Sequence, residues 1–380
     1  MRLAEIDMGL HITKPTSAPP HRGEYRTGEL AREMKAAVYR GRNHLVVETH
    51  PVPEILEGEL LVRVHACGVC GTDIKKIEHG LVPPPRIFGH EMAGTVARAG
   101  RKVTKFAPGD RVAVHHHIPC RNCFYCKRNL YSQCDVYRRT GTTAGFEPAG
   151  GGFAEYVRVM DWIVEQGTVA IPADVSFEEA SFLEPLNTCL KALETADLRS
   201  GEVVVVLGQG PVGLLLTQSA RCAGATVVGL DLMQTRLAVA RELGAAFALN
   251  PKTDDIPAVL GKLTEGRGAD LVIVATADPG AVSAAQVLVR RAGRVLLFAQ
   301  TVPGEMIPVD ASRICVEEKQ LIGSYSASVD LQEKAADLIF SRKVNVRSMI
   351  THRFGLDSLL QGIHLASHPA EDSLKVIIEP

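Results

Sequence analysis

The run Glu202-Val203-Val204-Val205-Val206-Leu207-Gly208-Gln209-Gly210-Pro211-Val212-Gly213 carries two signals in one short stretch. Its first half is a continuous apolar strand, the pattern of a strand buried on both faces of a parallel sheet. Its second half is a G-x-G-x-x-G turn, and a helical pattern runs on to about Cys222. Alone, such a turn says little. Wedged between a buried strand and a helix, it reads as a dinucleotide-binding fingerprint. The glycines Gly208, Gly210 and Gly213 let the backbone approach a pyrophosphate, and the start of the helix, at Pro211 and Val212, offers a positive dipole end and, from Val212 on, unpaired N–H groups. A second strand, residues 226–230, ends in Asp231, placed to bind the ribose hydroxyls of the adenosine half. That carboxylate would repel a 2′-phosphate, so NAD is expected ahead of NADP. Arg236, within the following helix, is the one residue that argues the other way.

Downstream the alternation continues. A helix is expected over 234–243, ending at Gly244. Strands are expected over 271–275, 294–299 and 320–323, with a helix near 281–290. Strand–helix alternation predicts a doubly wound parallel sheet. Upstream the text is different. From Met34 to about Phe182 it reads as short strands with frequent turns, such as Leu60-Leu61-Val62-Arg63-Val64-His65-Ala66 and the turn Pro108-Gly109-Asp110. That pattern suggests a small β-barrel. A helix from Leu331 and short strands at 350–353 and 376–378 return to it. The expected division is therefore 34–185 plus 329–380 for the catalytic barrel domain and 186–328 for the Rossmann domain. Residues 1–33 show no apolar periodicity and no secretory pattern, and are expected to be a disordered extension or an over-long reading frame.

Two cysteine patterns lie in the barrel half. Cys120, Cys123, Cys126 and Cys134 are spaced C-x2-C-x2-C-x7-C. Four thiolates can close a tetrahedral zinc site and leave no position for water or substrate, so a structural zinc is expected. Just before it, His115-His116-His117 reads as an exposed or half-buried strand end with at most one ring in a cleft, because consecutive strand residues face opposite ways. The second pattern is Gly68-Val69-Cys70-Gly71-Thr72-Asp73, followed by Gly89-His90-Glu91. Cys70 and His90 are ligand types of a catalytic zinc, which needs only three protein ligands.

That pair of segments resembles the catalytic-zinc signature of the zinc-dependent medium-chain alcohol/polyol dehydrogenases. The four-cysteine lobe, the dinucleotide turn and their order are similar too, and the resemblance runs from Met34 to Pro380, closest to the sorbitol/threonine dehydrogenase-like branch. It implies an α/β protein, with a chaperonin-10-like β-barrel catalytic domain plus a Rossmann doubly wound parallel sheet. It implies two zinc ions per chain. One is catalytic, held by Cys70, His90 and a carboxylate from Glu91 or Glu184; the other is structural, in the four-cysteine lobe. Glu184, in Glu184-Pro185, matches a carboxylate of the polyol and threonine branches. Thr72 matches the residue that takes the substrate proton, and Thr188 one that packs near the nicotinamide. Lys375 is grouped with the cofactor-binding residues. Asp73 is expected to orient His90. Many relatives carry a histidine where this chain has Lys75, so the end of the proton relay differs. The implied activity is hydride transfer between a polar secondary alcohol (a polyol, sugar derivative or hydroxy amino acid) and NAD. The alternatives are a simple alcohol or aldehyde as substrate, or a zinc-free-type quinone or alkene reductase.

Composition narrows the classes. A net charge of −1 gives no case for nucleic acid or an anionic membrane surface. No apolar run reaches membrane-span length. Nine cysteines, four of them crowded into one short loop, suit metal in a reducing cytoplasm better than a disulfide framework. The expected partner is a small-molecule alcohol or ketone, and the expected assembly a homodimer or homotetramer.

Overall fold

The computed structural model describes residues 31–140, 150–299 and 304–380. The expectation for residues 1–33 falls almost wholly outside them.

The dinucleotide half is a six-stranded sheet in the order Phe247–Leu249, Thr226–Leu230, Val203–Leu207, Ala269–Val274, Val289–Leu297, Gln320–Gly323. All five pairings are parallel. The strand Val203–Leu207 is central because helices cover both faces of the sheet, and its residues from Val204 on are buried. Successive strands run outward from it in opposite directions, through Thr226–Leu230 on one side and Ala269–Val274 on the other. The carboxyl end of the central strand is therefore the switch point where such sheets open a ligand crevice. Two expected elements shift. The helix near 281–290 is Pro279–Leu288, and the next strand begins at once at Val289, five residues ahead of the expected 294. Val289 is fully buried against the neighbouring strand, so packing extends the strand where the local text, Arg290-Arg291-Ala292-Gly293, reads as a break.

The other half is a mostly antiparallel sheet in the order Ile350–Gly355, Lys375–Glu379, Leu60–Gly68, Glu91–Ala99, Arg111–Val114, Thr168–Ala170, with Tyr156–Val159 also on Leu60–Gly68. The strands returning from the C-terminus thus complete the sheet begun near residue 60. A small three-stranded sheet of His44–Pro51, Glu33–Gly41 and Arg86–Ile87 accompanies it.

The helix Leu183–Thr195 joins the two halves. Phe182, Leu183 and Leu186 share one apolar cluster with Ala66, Ala93 and Ala113 of the antiparallel sheet and with Val204, Val206 and Leu214 of the dinucleotide half. Leu186 and Leu214 are wholly buried, and each such side chain contributes roughly 1.5–3 kcal/mol. The helix therefore has little freedom to shift, and the polar residues it carries are held in place. Among the described residues no helix is long and apolar enough to cross a membrane.

Candidate active site between the two halves

Cys70 and His90 are brought together by strand pairing. Leu60–Gly68 and Glu91–Ala99 are antiparallel neighbours with Gly68 opposite Glu91. Cys70 lies just past the end of one strand, and His90 just before the start of the other. A side chain on Gly68 would collide with the Glu91 carboxylate and the Lys375 stem, so glycine is needed there. Cys70 also caps a helix, Gly71–His79, that was not among the expected elements. Thr72 N–H donates to Cys70 Sγ at 3.5 Å, and Cys70 N–H donates to Asp73 Oδ2 at 3.1 Å. The other Asp73 oxygen is 3.2 Å from His90 Nδ1. Asp73 thus fixes the helix start and the imidazole together. With Nδ1–H committed to a carboxylate, Nε2 presents its lone pair. The donor atoms of Cys70, His90 and Glu91 all lie within 4.8 Å of one another.

Glu184 stands apart from that trio. It is buried on the helix Leu183–Thr195, with Oε1 3.7 Å from His117 Nδ1. Of the two carboxylates, Glu91 is the one in the three-donor cluster. In the lobe, the four cysteine sulfurs also lie within 4.8 Å of one another, at 3.9 Å for Cys120–Cys126 and 3.6 Å for Cys123–Cys126.

The dinucleotide turn has the backbone its residues imply. Gly208 has φ +93°, and a Cβ on Gly213 would strike the Gly208 carbonyl. The helix Pro211–Cys222 starts at Gly210 with no side-chain cap, so its first N–H groups remain for a ligand. Asp231 accepts the Gln209 N–H at 2.7 Å and the Met233 N–H at 2.9 Å. Arg236 Nη1 lies 3.9 Å from Asp231 Oδ2.

Residues 56–171 match the alcohol dehydrogenase GroES-like domain, and residues 211–341 match the zinc-binding dehydrogenase domain. A sorbitol dehydrogenase of Bacillus subtilis (strain 168) is 30% identical over 360 residues, 93% of this chain and 99% of that one. The chain belongs to the zinc-binding alcohol dehydrogenase family. A sorbitol dehydrogenase of Halalkalibacterium halodurans is 33% identical over 359 residues, covering 91% of this chain and 99% of its own. A solved zinc-binding dehydrogenase of Sinorhizobium meliloti 1021, bound to NADP, superposes with a TM-score of 0.82 at 31% identity, covering 92% of this chain and 99% of that one. The expected GroES-like and Rossmann halves are therefore those of the family, and the enzyme is an oxidoreductase.

Both donor sets of this dehydrogenase fit zinc. A tetrahedron with ~2.3 Å metal–sulfur bonds has edges of about 3.8 Å, close to the two sulfur separations in the lobe. In the other set, a thiol, an oriented imidazole and a carboxylate converge from different elements and leave one side to the cleft. The glycine cradle and the uncapped helix likewise fit the pyrophosphate of a nicotinamide dinucleotide.

A cavity of about 250 Å³ joins these parts. Cys70, His90 and Glu91 form one wall, and Thr188 and Val212 lie towards the dinucleotide turn. Thr72, Lys75, His117 and Glu184 line it as well. A larger recess of about 770 Å³ shares Phe298, Ala299, Ser324 and Tyr325 with it but holds none of the three metal-type donors, so the smaller cavity is the candidate site.

Electrostatics in the dehydrogenase cavity follow from burial. Desolvation pushes the Glu184 carboxyl up to about 7, against the pull of His90. Burial disfavours charge on Lys375, but Glu91 and Cys70 outweigh it and hold its pKa above the ordinary lysine value. The ammonium is ion-paired with Glu91 and donates to the Val69 carbonyl at 3.0 Å. Lys375, grouped above with the cofactor, has its ammonium on Glu91 in this structure. Without a metal ion, Asp73 and Cys70 overcome burial and hold the His90 pKa well above the usual imidazole value, so zinc binding at Nε2 would release a proton.

The histidine run corrects the sequence expectation. His115, His116 and His117 are all buried, at 0%, 2% and 8% exposure, not a half-exposed strand end. The strand Arg111–Val114 ends beneath the domain junction, and His115 N–H donates to the Gly167 carbonyl. One ring, His117, lines the cleft. Burial pushes His115 down to about 3 and holds the other two well below the usual value. Ser326, which lines the cleft, and Lys191 and Asn187, which hold the turn that carries it, have no marker in the sequence.

Proposed function

We propose that the chain oxidises a secondary hydroxyl of a polyol, reversibly, with zinc held by Cys70, His90 and Glu91 and with NAD in the crevice at Gly208–Gly213. The observation that carries this reading is the single cavity onto which the three-donor cluster, the dinucleotide side and the buried Glu184 all open. Bound zinc supplies a Lewis acid for the substrate oxygen, and the nicotinamide supplies the hydride acceptor. The protein's part is placement. Asp73 keeps the His90 ring in one tautomer and one orientation. Lys375 neutralises Glu91, which lowers the cost of a carboxylate in a buried donor set. Thr72 takes the substrate proton at its hydroxyl. Lys75, on the same helix and also on the cavity wall, takes the outer place in the proton path.

A carboxylate where other alcohol dehydrogenases use a second thiolate makes the donor set harder and more polar, which favours an oxygen-rich substrate. The sorbitol dehydrogenases above support the same class. Four thiolates in the lobe hold a second zinc that staples a loop with almost no core of its own. For the cofactor, Asp231 stands at the strand end with two backbone N–H groups fixing its carboxylate. A 2′-phosphate would meet that charge. The repulsion is worth on the order of 1–3 kcal/mol, or ~10–100-fold in preference. The test is a rate panel of sorbitol, xylitol, threonine and simple secondary alcohols with NAD and NADP, repeated in Asp231→Ser. Polyols with NAD should lead, and the substitution should shift the cofactor ratio towards NADP. An aliphatic alcohol ahead of every polyol refutes the substrate class. A ratio unmoved by the substitution removes Asp231 from its role.

A further inference from the structure

The turn after the strand Gln320–Gly323 is pinned by side chains from elsewhere in the chain. Lys191 donates to Ser324 Oγ at 3.2 Å and to the Tyr325 carbonyl at 3.1 Å. Asn187 Oδ1 accepts the Ser328 N–H at 3.0 Å. Between these, His117 Nδ1 lies 2.6 Å from Ser326 Oγ and 3.2 Å from Ala327 N. A backbone N–H can only donate, so His117 Nδ1 carries no proton and accepts from the Ser326 hydroxyl as well. The serine proton is committed to His117, and its oxygen, which the Tyr137 hydroxyl approaches at 3.4 Å, keeps a further lone pair as an acceptor. Ser326 also has φ +63°, a left-handed conformation that residues with side chains seldom adopt. The clamp from His117 holds it there, and Ser326 lines the same cavity as Glu184 and the three-donor cluster.

We propose that Ser326, set in place by His117, recognises a hydroxyl on the carbon next to the reacting one, so that the site selects vicinal diols over matched mono-alcohols. The inference rests on the reading of this cavity as a polyol site. A second hydroxyl brings a proton, and the wall it meets offers the Ser326 oxygen and the Glu184 carboxyl as acceptors. A methylene in its place leaves the Ser326 oxygen with only the long contact from the Tyr137 hydroxyl, and a site built to hydrogen-bond a hydroxyl rejects an analogue that lacks it. Ser326 touches the substrate; His117 is a positioning residue acting through it.

The zinc-loaded enzyme with NAD is assayed on butanediol with adjacent hydroxyls and on the matching secondary butanol. Wild type should prefer the diol by ~10–100-fold in kcat/KM. Ser326→Gly, which suits the left-handed backbone, should collapse that ratio to within about 3-fold, with most of the loss on the diol. His117→Leu should do the same, while His117→Asn, which keeps an acceptor near the position of Nδ1, should retain most of the ratio. As a readout free of turnover, the diol should raise the melting temperature of the NADH complex more than the mono-alcohol does, in wild type but not in Ser326→Gly. An unchanged ratio in Ser326→Gly, or an equal loss on both alcohols, overturns the assignment. Wild-type turnover of both alcohols without diol preference overturns it while leaving the dehydrogenase reading intact. No turnover of either, with no diol-selective shift, overturns both.

Discussion

His115 shows how far burial can move a single side chain. Its ring is wholly enclosed, neither nitrogen has a hydrogen-bond partner among the described residues, and burial together with the nearby His90 pushes its pKa from 6.5 to about 3. In the unfolded chain it takes a proton near 6.5, and in the fold only near 3. Between these values the unfolded state binds the extra proton. Its neutral form is therefore tolerated without penalty above about pH 6.5, and stability falls as the pH drops, levelling off below about 3. The slope is roughly 1.4 kcal/mol per pH unit for one such group. His116 and His117 are displaced in the same direction and steepen the acid limb. Urea unfolding from pH 7 to pH 4 should show His115→Leu losing less stability than wild type, by about one proton's slope. Parallel curves for the two proteins would mean that His115 is protonated in the fold. At this scale the metal-type donors were legible from sequence, because the chemistry restricts them to a few residue types at recognisable spacings. Ser326 was not. Its role arises from a turn at positive φ and from His117, 209 positions away.

The four-cysteine lobe and the helix Leu183–Thr195 are opposite kinds of element. The lobe's regular structure includes two short 3-10 turns, Cys126–Arg128 and Tyr131–Gln133, and its own apolar cluster is Cys126, Cys134 and Tyr137. A metal held by the four thiolates would order such a loop, and its binding would be folding free energy. Cys123→Ser should lower the melting temperature or cause aggregation, with activity lost only as a consequence. Unchanged melting together with unchanged zinc would contradict the staple. The helix needs no metal, since Leu183, Leu186, Leu190 and Leu193 bury one face in the shared core. That fixes Glu184 and Thr188 at the cleft and Asn187 and Lys191 against the turn 324–328. The spacing of the lobe cysteines revealed the lobe directly. The helix was harder, because Glu184-Pro185 looks ordinary until the turn 324–328 is packed against it. Likewise the helix Gly71–His79 was hidden because Cys70 and Asp73 were read for their metal chemistry, although both also form its N-terminal cap.

At the scale of the whole molecule, each half contributes what the other lacks. The antiparallel sheet pairs two strand ends to converge a thiol, an imidazole and a carboxylate. The parallel sheet turns its switch point, at Val212 and Ala275, to the same cavity. The kind of sheet in each half was readable, though not its strand order, since buried parallel strands and turn-punctuated antiparallel ones have different texts. Which faces meet was not readable, and the buried histidine run is the cost of that gap: three polar residues in sequence look exposed until a second half covers them. The central chemical claim is that zinc at Cys70, His90 and Glu91 serves polyol oxidation at the junction. Zinc per chain, measured together with polyol-dependent NADH formation in wild type and Cys70→Ser, tests it most directly. The account predicts two zinc ions and turnover in wild type, against one zinc ion, a native circular dichroism spectrum and no turnover in Cys70→Ser. Retained turnover in the variant, or wild-type activity without zinc, would contradict it.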